Sequence, residues 1–149
     1  MSAADDRHEI GALVHAYAER VDAGDVDGVA DLFAHATLVS SEGIEFSGRD
    51  TLRELWADGL QLHDGSPRTH HLITNLVIDL DEDGLHARAR SYATAVQATP
   101  DLPLQVVVAS RHHDRFEKVD ETWRFVERRD FRDLAGDLSQ HFRVPSADS

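Results

Sequence analysis

Cysteine is absent from this chain of 149 residues. Its absence excludes disulfide bonds, a thiolate nucleophile and any zinc site built on cysteine. Basic residues are also scarce, because 15 lysines and arginines stand against 28 aspartates and glutamates, which gives a formal net charge of −13 at pH 7. A surface of that sign repels the phosphates of nucleic acids and the headgroups of anionic membranes. We therefore expect neither nucleic acid nor a membrane as a partner.

Long apolar runs are missing as well. No stretch of the sequence approaches the length that spans a bilayer, and the first residues lack the basic-then-apolar pattern of a secretory signal. The sequence accordingly predicts a soluble, cytoplasmic protein. Linkers, internal repeats and low-complexity segments are also absent, which predicts a single domain over residues 1–149 with a frayed tail at residues 144–149.

Several motifs of catalysis and cofactor binding do not occur. The glycine-rich nucleotide motifs, the P-loop and the Gly-x-Ser-x-Gly nucleophile elbow are all missing, so neither a nucleotide cofactor nor acyl-enzyme chemistry is supported. The ten histidines invite a metal hypothesis. However, the adjacent pairs His70-His71 and His112-His113 cannot bind one ion from a strand, and no His-Glu-x-x-His spacing exists. We expect no metal and no other cofactor.

The first part of the sequence has the periodicity of helices. Apolar residues recur at steps of three and four over residues 5–23, with Asp5 or Asp6 placed to cap the start and Gly24 placed to end the helix. Asp25 is placed to cap a second, shorter helix. The elements predicted here are helices at residues 5–23 and 26–33, a strand pair at residues 37–46, and a third helix that begins at residues 47–50 and includes Leu60.

The pattern changes to strands near residue 70. Acidic or glycine-containing turns separate four β-rich runs, which is typical of an antiparallel meander. The predicted strands are residues 70–80, 85–98, 104–119 and 122–134. Residues 76–78 and 106–109 are apolar at consecutive positions, whereas a strand with one covered face alternates. Both faces of the sheet are therefore expected to be covered, one by helices and the outer one by a second copy in a homodimer.

Two residues have the chemistry of a general base. Asp22 lies at the predicted end of the first helix, and His71 lies at the start of a strand. A carboxylate that orients an imidazole fixes its tautomer and raises its basicity. Asp22 also sits in an Asp-rich helix end, where Asp is favoured as a turn or capping group, so a structural role stays open on the residues alone. Strand alternation sends His70 and His71 to opposite faces, so at most one can serve.

The order of helix, helix, strand pair, helix and four long strands resembles the nuclear transport factor 2-like superfamily, over nearly the whole chain. The local marks of this resemblance are the Val21-Asp22 helix end, the Gly48-Arg49-Asp50 entry to the third helix, the Arg68-Thr69-His70-His71 strand start, and the paired strands at residues 113–117 and 123–129. The chain is most similar to the SnoaL-like branch that includes scytalone dehydratase and hexachlorocyclohexane dehydrochlorinase. The resemblance implies an α+β fold, a cone-shaped antiparallel or mixed sheet curved around three N-terminal helices, of the cystatin-like type.

The resemblance also implies roles for individual residues. In both of those lyases an Asp at the end of the first helix and a His at the start of the third strand form the catalytic pair, and these match Asp22 and His71. The dehydratase also has a second His on the next strand, but residues 93–95 are Ala-Thr-Ala here and Tyr92 is the nearby polar aromatic. The residues expected to bind substrate are Tyr17, Trp56, Tyr92, Ser110, His112 and Arg128.

Alternation along the third long strand decides whether some of these residues can reach a pocket. Ser110, His112 and Asp114 share one face. The SnoaL-like register sends Ser110 and His112 inward, where the dehydratase has a Ser and an Asn that hold the substrate, whereas a bulge would reverse them. Arg128 falls where the dehydrochlorinase has a pocket Arg.

These expectations lead to two classes of function. In the first, a cofactor-free lyase or isomerase of the dehydratase or polyketide cyclase type, His71 removes a proton from a small hydrophobic, ring-containing substrate. Ser110, His112, Tyr92 or Arg128 then stabilise the charge that develops on an oxyanion or leaving group. In the second, the same fold is a non-catalytic ligand-binding or assembly module, since fold alone does not determine function.

Overall fold

The computed structural model describes residues 2–143, so the predicted tail at residues 144–149 lies outside the described part. The helices are α1 (Ala3–Asp22), α2 (Val26–Leu32) and α3 (Arg49–Gly59). The strands are β1 (Thr37–Val39), β2 (Glu45–Ser47), β3 (Thr69–Leu80), β4 (His86–Thr99), β5 (Leu102–Val119) and β6 (Thr122–Ala135). Among the described residues no helix is both long enough and apolar enough to cross a membrane.

Helix α1 begins with a capping box. The Ser2 hydroxyl accepts a hydrogen bond from the Asp5 backbone N–H at 3.2 Å, and the Asp5 carboxylate accepts one from the Ser2 backbone at 2.9 Å. The N-cap residue is therefore Ser2, and of the two predicted capping residues Asp5 takes part as the third residue of the helix, whereas Asp6 does not. Asp6 is buried instead, where it accepts hydrogen bonds from Trp123 Nε1 at 2.8 Å and Lys118 Nζ at 2.9 Å. These bonds tie the start of α1 to the hairpin of β5 and β6.

The six strands form one sheet in the order β2-β1-β6-β5-β4-β3. All neighbouring strands are antiparallel except β1 and β6, which are parallel, so the sheet is mixed. The predicted meander of β3 to β6 is confirmed. Helices lie against one face of this sheet, which we call the inner face, and α1 packs on β3 and β6.

A bulge in β3 explains the apolar run at residues 76–78. The register with β4 shifts between Thr74 and Val77, and Asn75 adopts a left-handed conformation with φ of 53°. The extra residue reverses the alternation, so His71 and Ile73 face inward before the bulge while Leu76 and Ile78 pack on the core after it. The consecutive apolar positions at residues 76–78 are therefore explained by the change of register, and not by burial of both faces of β3.

Aromatic side chains form the centre of the core between α1, α2 and the sheet. The ring of Phe125 lies 4.5 Å from that of Phe33 and 4.6 Å from that of Phe116, and all three side chains are buried. Rings at these separations interact favourably beyond the area that they bury. Phe46 and Trp56 are only partly buried and pack against this core.

The outer face of the sheet carries exposed apolar side chains. Leu72, Val77, Tyr92 and Val106 all belong to this face and are each more than a third exposed. Exposed apolar groups are normal when scattered, but a patch on one sheet face is a feature of interaction surfaces. No described residue of this chain covers that patch.

After β6 the chain returns over the inner face as a segment that we call the C-terminal strap, residues 136–143. Its backbone bonds to the end of α3: Gln61 N–H donates to the His141 carbonyl at 3.0 Å, and Arg143 N–H donates to the Gly59 carbonyl at 2.8 Å. Gly59 is required for this contact, because a β-carbon there would collide with the ring of Phe142. The strap closes one side of the space between the helices and the sheet.

Candidate active site

A pocket of about 150 Å³ lies between α1, α3, the inner face of the sheet and the C-terminal strap. Its walls are mainly apolar, and most of its polar groups come from the sheet and the strap. The apolar wall includes Leu38, Phe46, Leu55, Trp56, Val108 and Phe142. A small, mostly apolar pocket with a few convergent polar groups is the usual form of a small-molecule site.

Asp22 and His71 meet at this pocket. Asp22 is the last residue of α1 and His71 is the third residue of β3. His71 Nδ1 lies 2.6 Å from Asp22 Oδ1, while the backbone N–H of His71 donates to Asp22 Oδ2 at 2.8 Å and Thr69 Oγ1 donates to Oδ1 at 2.9 Å. The carboxylate therefore fixes both the ring and the backbone of His71. With the proton on Nδ1, the other ring nitrogen, Nε2, presents a lone pair.

The charge of Asp22 is stabilised where it lies. Burial acts to raise the pKa of this carboxyl, but the hydrogen bonds from His71 and Thr69 outweigh burial and hold the pKa below its usual value. The side chains of His71 and Asp22 are 7% and 19% exposed, so solvent screens their interaction only partly. An ionised Asp22 stabilises the imidazolium that forms when His71 takes up a proton.

A second Asp–His pair lies on the sheet side of the pocket. His112 Nε2 on β5 lies 3.2 Å from Asp130 Oδ1 on β6, and both residues line the pocket. Burial, and then the charge of Arg128, lower the pKa of His112. His112 is therefore neutral at neutral pH. Its Nδ1 is buried and has no hydrogen-bond partner among the described residues.

Arg128 places a positive charge on the sheet side of the pocket. Its Nε and Nη2 donate to the two oxygens of Asp114 at 2.8 and 2.9 Å, and its guanidinium lies 4.4 Å from the ring centre of Tyr17. Burial acts to lower the pKa of Arg128, but the Asp114 carboxylate outweighs burial and raises it. Nη1 is buried and has no hydrogen-bond partner within residues 2–143. Burial also raises the pKa of Tyr17, so its phenol stays protonated.

The structure brings together seven of the eight residues that the sequence singled out. Asp22 pairs with His71, and the pocket lining includes Tyr17, Trp56, His71, Ser110, His112 and Arg128. The bulge beside Ser110, in the pairing of β5 with β6, does not turn Ser110 or His112 outward. His70 is exposed on the opposite side of β3, as alternation predicts.

Tyr92 was wrongly predicted to bind substrate. Its side chain is 48% exposed and belongs to the outer face of the sheet. The reason is strand alternation: Ala93 pairs with Ser110 and faces the pocket, which turns Tyr92 away from it. The inner positions on either side of Tyr92 are small, Ser91 and Ala93, which leaves room for the pocket.

Two polar pocket residues were missed by the sequence analysis. Asp130 lies two residues after Arg128 on the same strand, so strand alternation alone would have placed it on the same face. His141 lies in the C-terminal strap, beyond the last strand, and also lines the pocket. No sequence signal marks His141, because its position depends on how the strap packs against α3.

One group of potential metal ligands occurs within residues 2–143, and it lies at the turn between β3 and β4. Asp81, Asp83 and His86 bring their ligand atoms within 4.8 Å of one another, and all three are exposed. Asp83 already accepts hydrogen bonds from the backbones of Leu85 and His86 at 2.8 and 3.1 Å. We therefore interpret the group as a hydrogen-bonded turn.

Comparisons with known proteins agree with this architecture. The profile of a family described as the SnoaL-like domain matches residues 2–129. Among solved structures, a variant of Rv3472, a protein of unknown function from Mycobacterium tuberculosis, is 27% identical, with a TM-score of 0.72 over 86% of this chain and 76% of the other. A search of curated protein sequences finds no match.

Two structures from Novosphingobium aromaticivorans share the fold at lower identity. One is described as NTF2-like with a cystatin-like fold, and is 20% identical with a TM-score of 0.69 over 91% of this chain and 86% of the other. The second, described as a candidate scytalone dehydratase, is 19% identical with a TM-score of 0.73 over 95% of this chain and 93% of the other. The α+β architecture of three helices and a mixed sheet is thereby confirmed.

Proposed function

Because the chain belongs to the family of SnoaL-like domains, we propose that it is a cofactor-free lyase or isomerase that removes a proton from a small, ring-containing substrate. One observation carries the proposal: the partly buried carboxylate of Asp22 holds His71 at 2.6 Å and leaves its second ring nitrogen free, in a residue that lines the pocket. This is the arrangement of a general base with its orienting group. The structural neighbour described as a candidate scytalone dehydratase is consistent with such chemistry.

The proposed reaction begins with the transfer of a proton from carbon to His71 Nε2. The C–H bond next to a carbonyl breaks, and its electron pair moves toward the carbonyl oxygen. In a dehydration, the electron pair then expels a hydroxyl on the next carbon, which leaves as water with the proton from His71. Ser110 and Arg128 line the same pocket and would stabilise the negative charge that develops on oxygen.

The pocket limits the size of the substrate. An apolar cavity of about 150 Å³ takes up a single aromatic ring such as benzene. We therefore propose a monocyclic substrate that carries oxygen substituents. The cytoplasmic location stays a prediction.

The proposal is tested with a β-hydroxycyclohexanone in D₂O, followed by proton NMR. The protein should accelerate both exchange of the proton next to the carbonyl and loss of water above the rate in buffer, and His71→Ala should return both rates to that of buffer. If the protein binds the ketone saturably but exchanges its proton no faster than the His71→Ala variant does, the proposal of catalysis is contradicted. That outcome would support the alternative, a non-catalytic ligand-binding module.

We also propose a homodimer through the outer face of the sheet. The support is the exposed apolar patch that includes Leu72, Tyr92 and Val106. Light scattering at micromolar concentration should give twice the mass of the chain, and Leu72→Lys combined with Val106→Lys should give the monomer mass. A monomer mass for the unchanged protein would contradict the dimer. Exchange of Leu62, which is 54% exposed in the segment after α3 and lies off the sheet, for Lys is the matched control and should leave the dimer intact.

A further inference from the structure

The C-terminal strap places a second imidazole beside the proposed base. The ring centre of His141 lies 5.5 Å from that of His71, and both rings line the pocket. His141 is only 6% exposed although it belongs to a segment that follows the last strand. The proton transfer proposed for His71 makes no use of this residue.

The position of His141 is fixed from both sides. Its own carbonyl accepts a hydrogen bond from the backbone of Gln61, and the side chain of Gln97 donates to the neighbouring carbonyl of Gln140 at 2.8 Å. The ring of Phe142 packs 4.9 Å from that of Trp56. These contacts fix the backbone on both sides of His141 before any ligand binds, and a preorganised polar group stabilises developing charge better than a mobile one.

His141 has an unused capacity for hydrogen bonding. Its Nδ1 is buried and has no partner among the described residues. Burial, and then the positive charge that His71 can carry, lower the pKa of His141 to about 4. A neutral imidazole offers one N–H donor and one acceptor. Placing such a group in a pocket without protein partners is costly, so a ligand that supplies the partner is the natural explanation.

We propose that His141 donates a hydrogen bond from its ring N–H to the substrate oxygen on which negative charge develops. This inference rests on the proposed function, because it gives His141 a part in the same proton removal. The proton from carbon goes to His71 Nε2, the electron pair moves to the substrate oxygen, and His141 keeps its own proton throughout. A neutral imidazole can act as such an electrophile. His141 is thus a second catalytic imidazole that comes from the strap.

The test compares two ring probes of similar shape in a binding titration. Para-nitrophenolate carries an anionic oxygen, and nitrobenzene lacks it. His141→Phe keeps a ring but no donor, and should raise the Kd of the phenolate at least ~10-fold, while the Kd of nitrobenzene changes less than about twofold. His141→Gln keeps a donor and should retain most of the phenolate affinity. His70→Phe changes an exposed His on the same strand as His71 and should alter neither Kd.

Several results would overturn the inference. Equal weakening of both probes by His141→Phe would make His141 a packing residue of the strap. An unchanged phenolate Kd, or failure of the unchanged protein to bind the phenolate, would show that no donor serves the oxygen. A failure of the proposed function alone gives a different pair of results. The exchange test in D₂O would then be negative, while His141→Phe would still weaken the binding of the phenolate and not that of nitrobenzene. Thermal unfolding of each variant shows whether the fold is retained.

Discussion

Replacing His71 with alanine should lower the turnover of the identified substrate at least ~100-fold, with little change in thermal stability. General base catalysis by a positioned side chain contributes this much or more. Asp22→Asn should lose a comparable factor, because an amide neither fixes the Nδ1 proton of His71 as a carboxylate does nor stabilises the imidazolium. Measurement of kcat and KM for each variant separates this loss from a change in substrate binding.

The double variant should lose little more than either single variant. Residues that act in one proton transfer are non-additive, since removal of the first already abolishes the step that the second supports. His70→Ala is the control, because His70 is exposed on the other side of β3 and should retain full turnover. Full activity of both Asp22→Asn and His71→Ala would exclude the pair as the base. Losses that multiply would instead mean that the two residues act in separate steps.

Most of the architecture could be predicted because it follows from local patterns. Helix periodicity and the Asp25 cap predicted α2, and apolar periodicity predicted the bounds of α1 to within two residues at either end. Alternation on β5 correctly placed Ser110 and His112 on the same face as each other. The meeting of Asp22 with His71 is different, because 49 residues separate them along the chain. Only the resemblance to a known fold indicated that contact.

The remaining features depend on tertiary structure and were not accessible from local patterns. The bulge at Asn75 reverses the alternation of β3, and no single residue type in the sequence marks its position. Asp6 looked like a capping residue because its side chain is acidic and near a helix start, but its partners lie more than a hundred positions away. His141 reaches the pocket through packing of the strap on α3.

The largest stability effect is expected at Asp114, which is 0% exposed and pairs with Arg128, itself 3% exposed. Asp114→Ala should lower the free energy of unfolding by ~3–5 kcal/mol, because the guanidinium would stay buried without a counter-charge. That loss is a large part of the ~5–15 kcal/mol that stabilises a typical domain. Urea unfolding measures it as a lower midpoint at an unchanged slope.

Two further variants identify the cause of that loss. Asp133→Ala is the matched control, because Asp133 pairs with Arg111 across the same two strands at 2.7 Å but both side chains are well exposed. Its effect should be small, since solvent screens an exposed pair. Asp114→Leu combined with Arg128→Met should recover much of the stability lost in Asp114→Ala, because no unpaired charge then remains in the core. If the double variant is as unstable as the single one, the loss comes from disturbed packing against Tyr17 and Phe125 rather than from the buried charge.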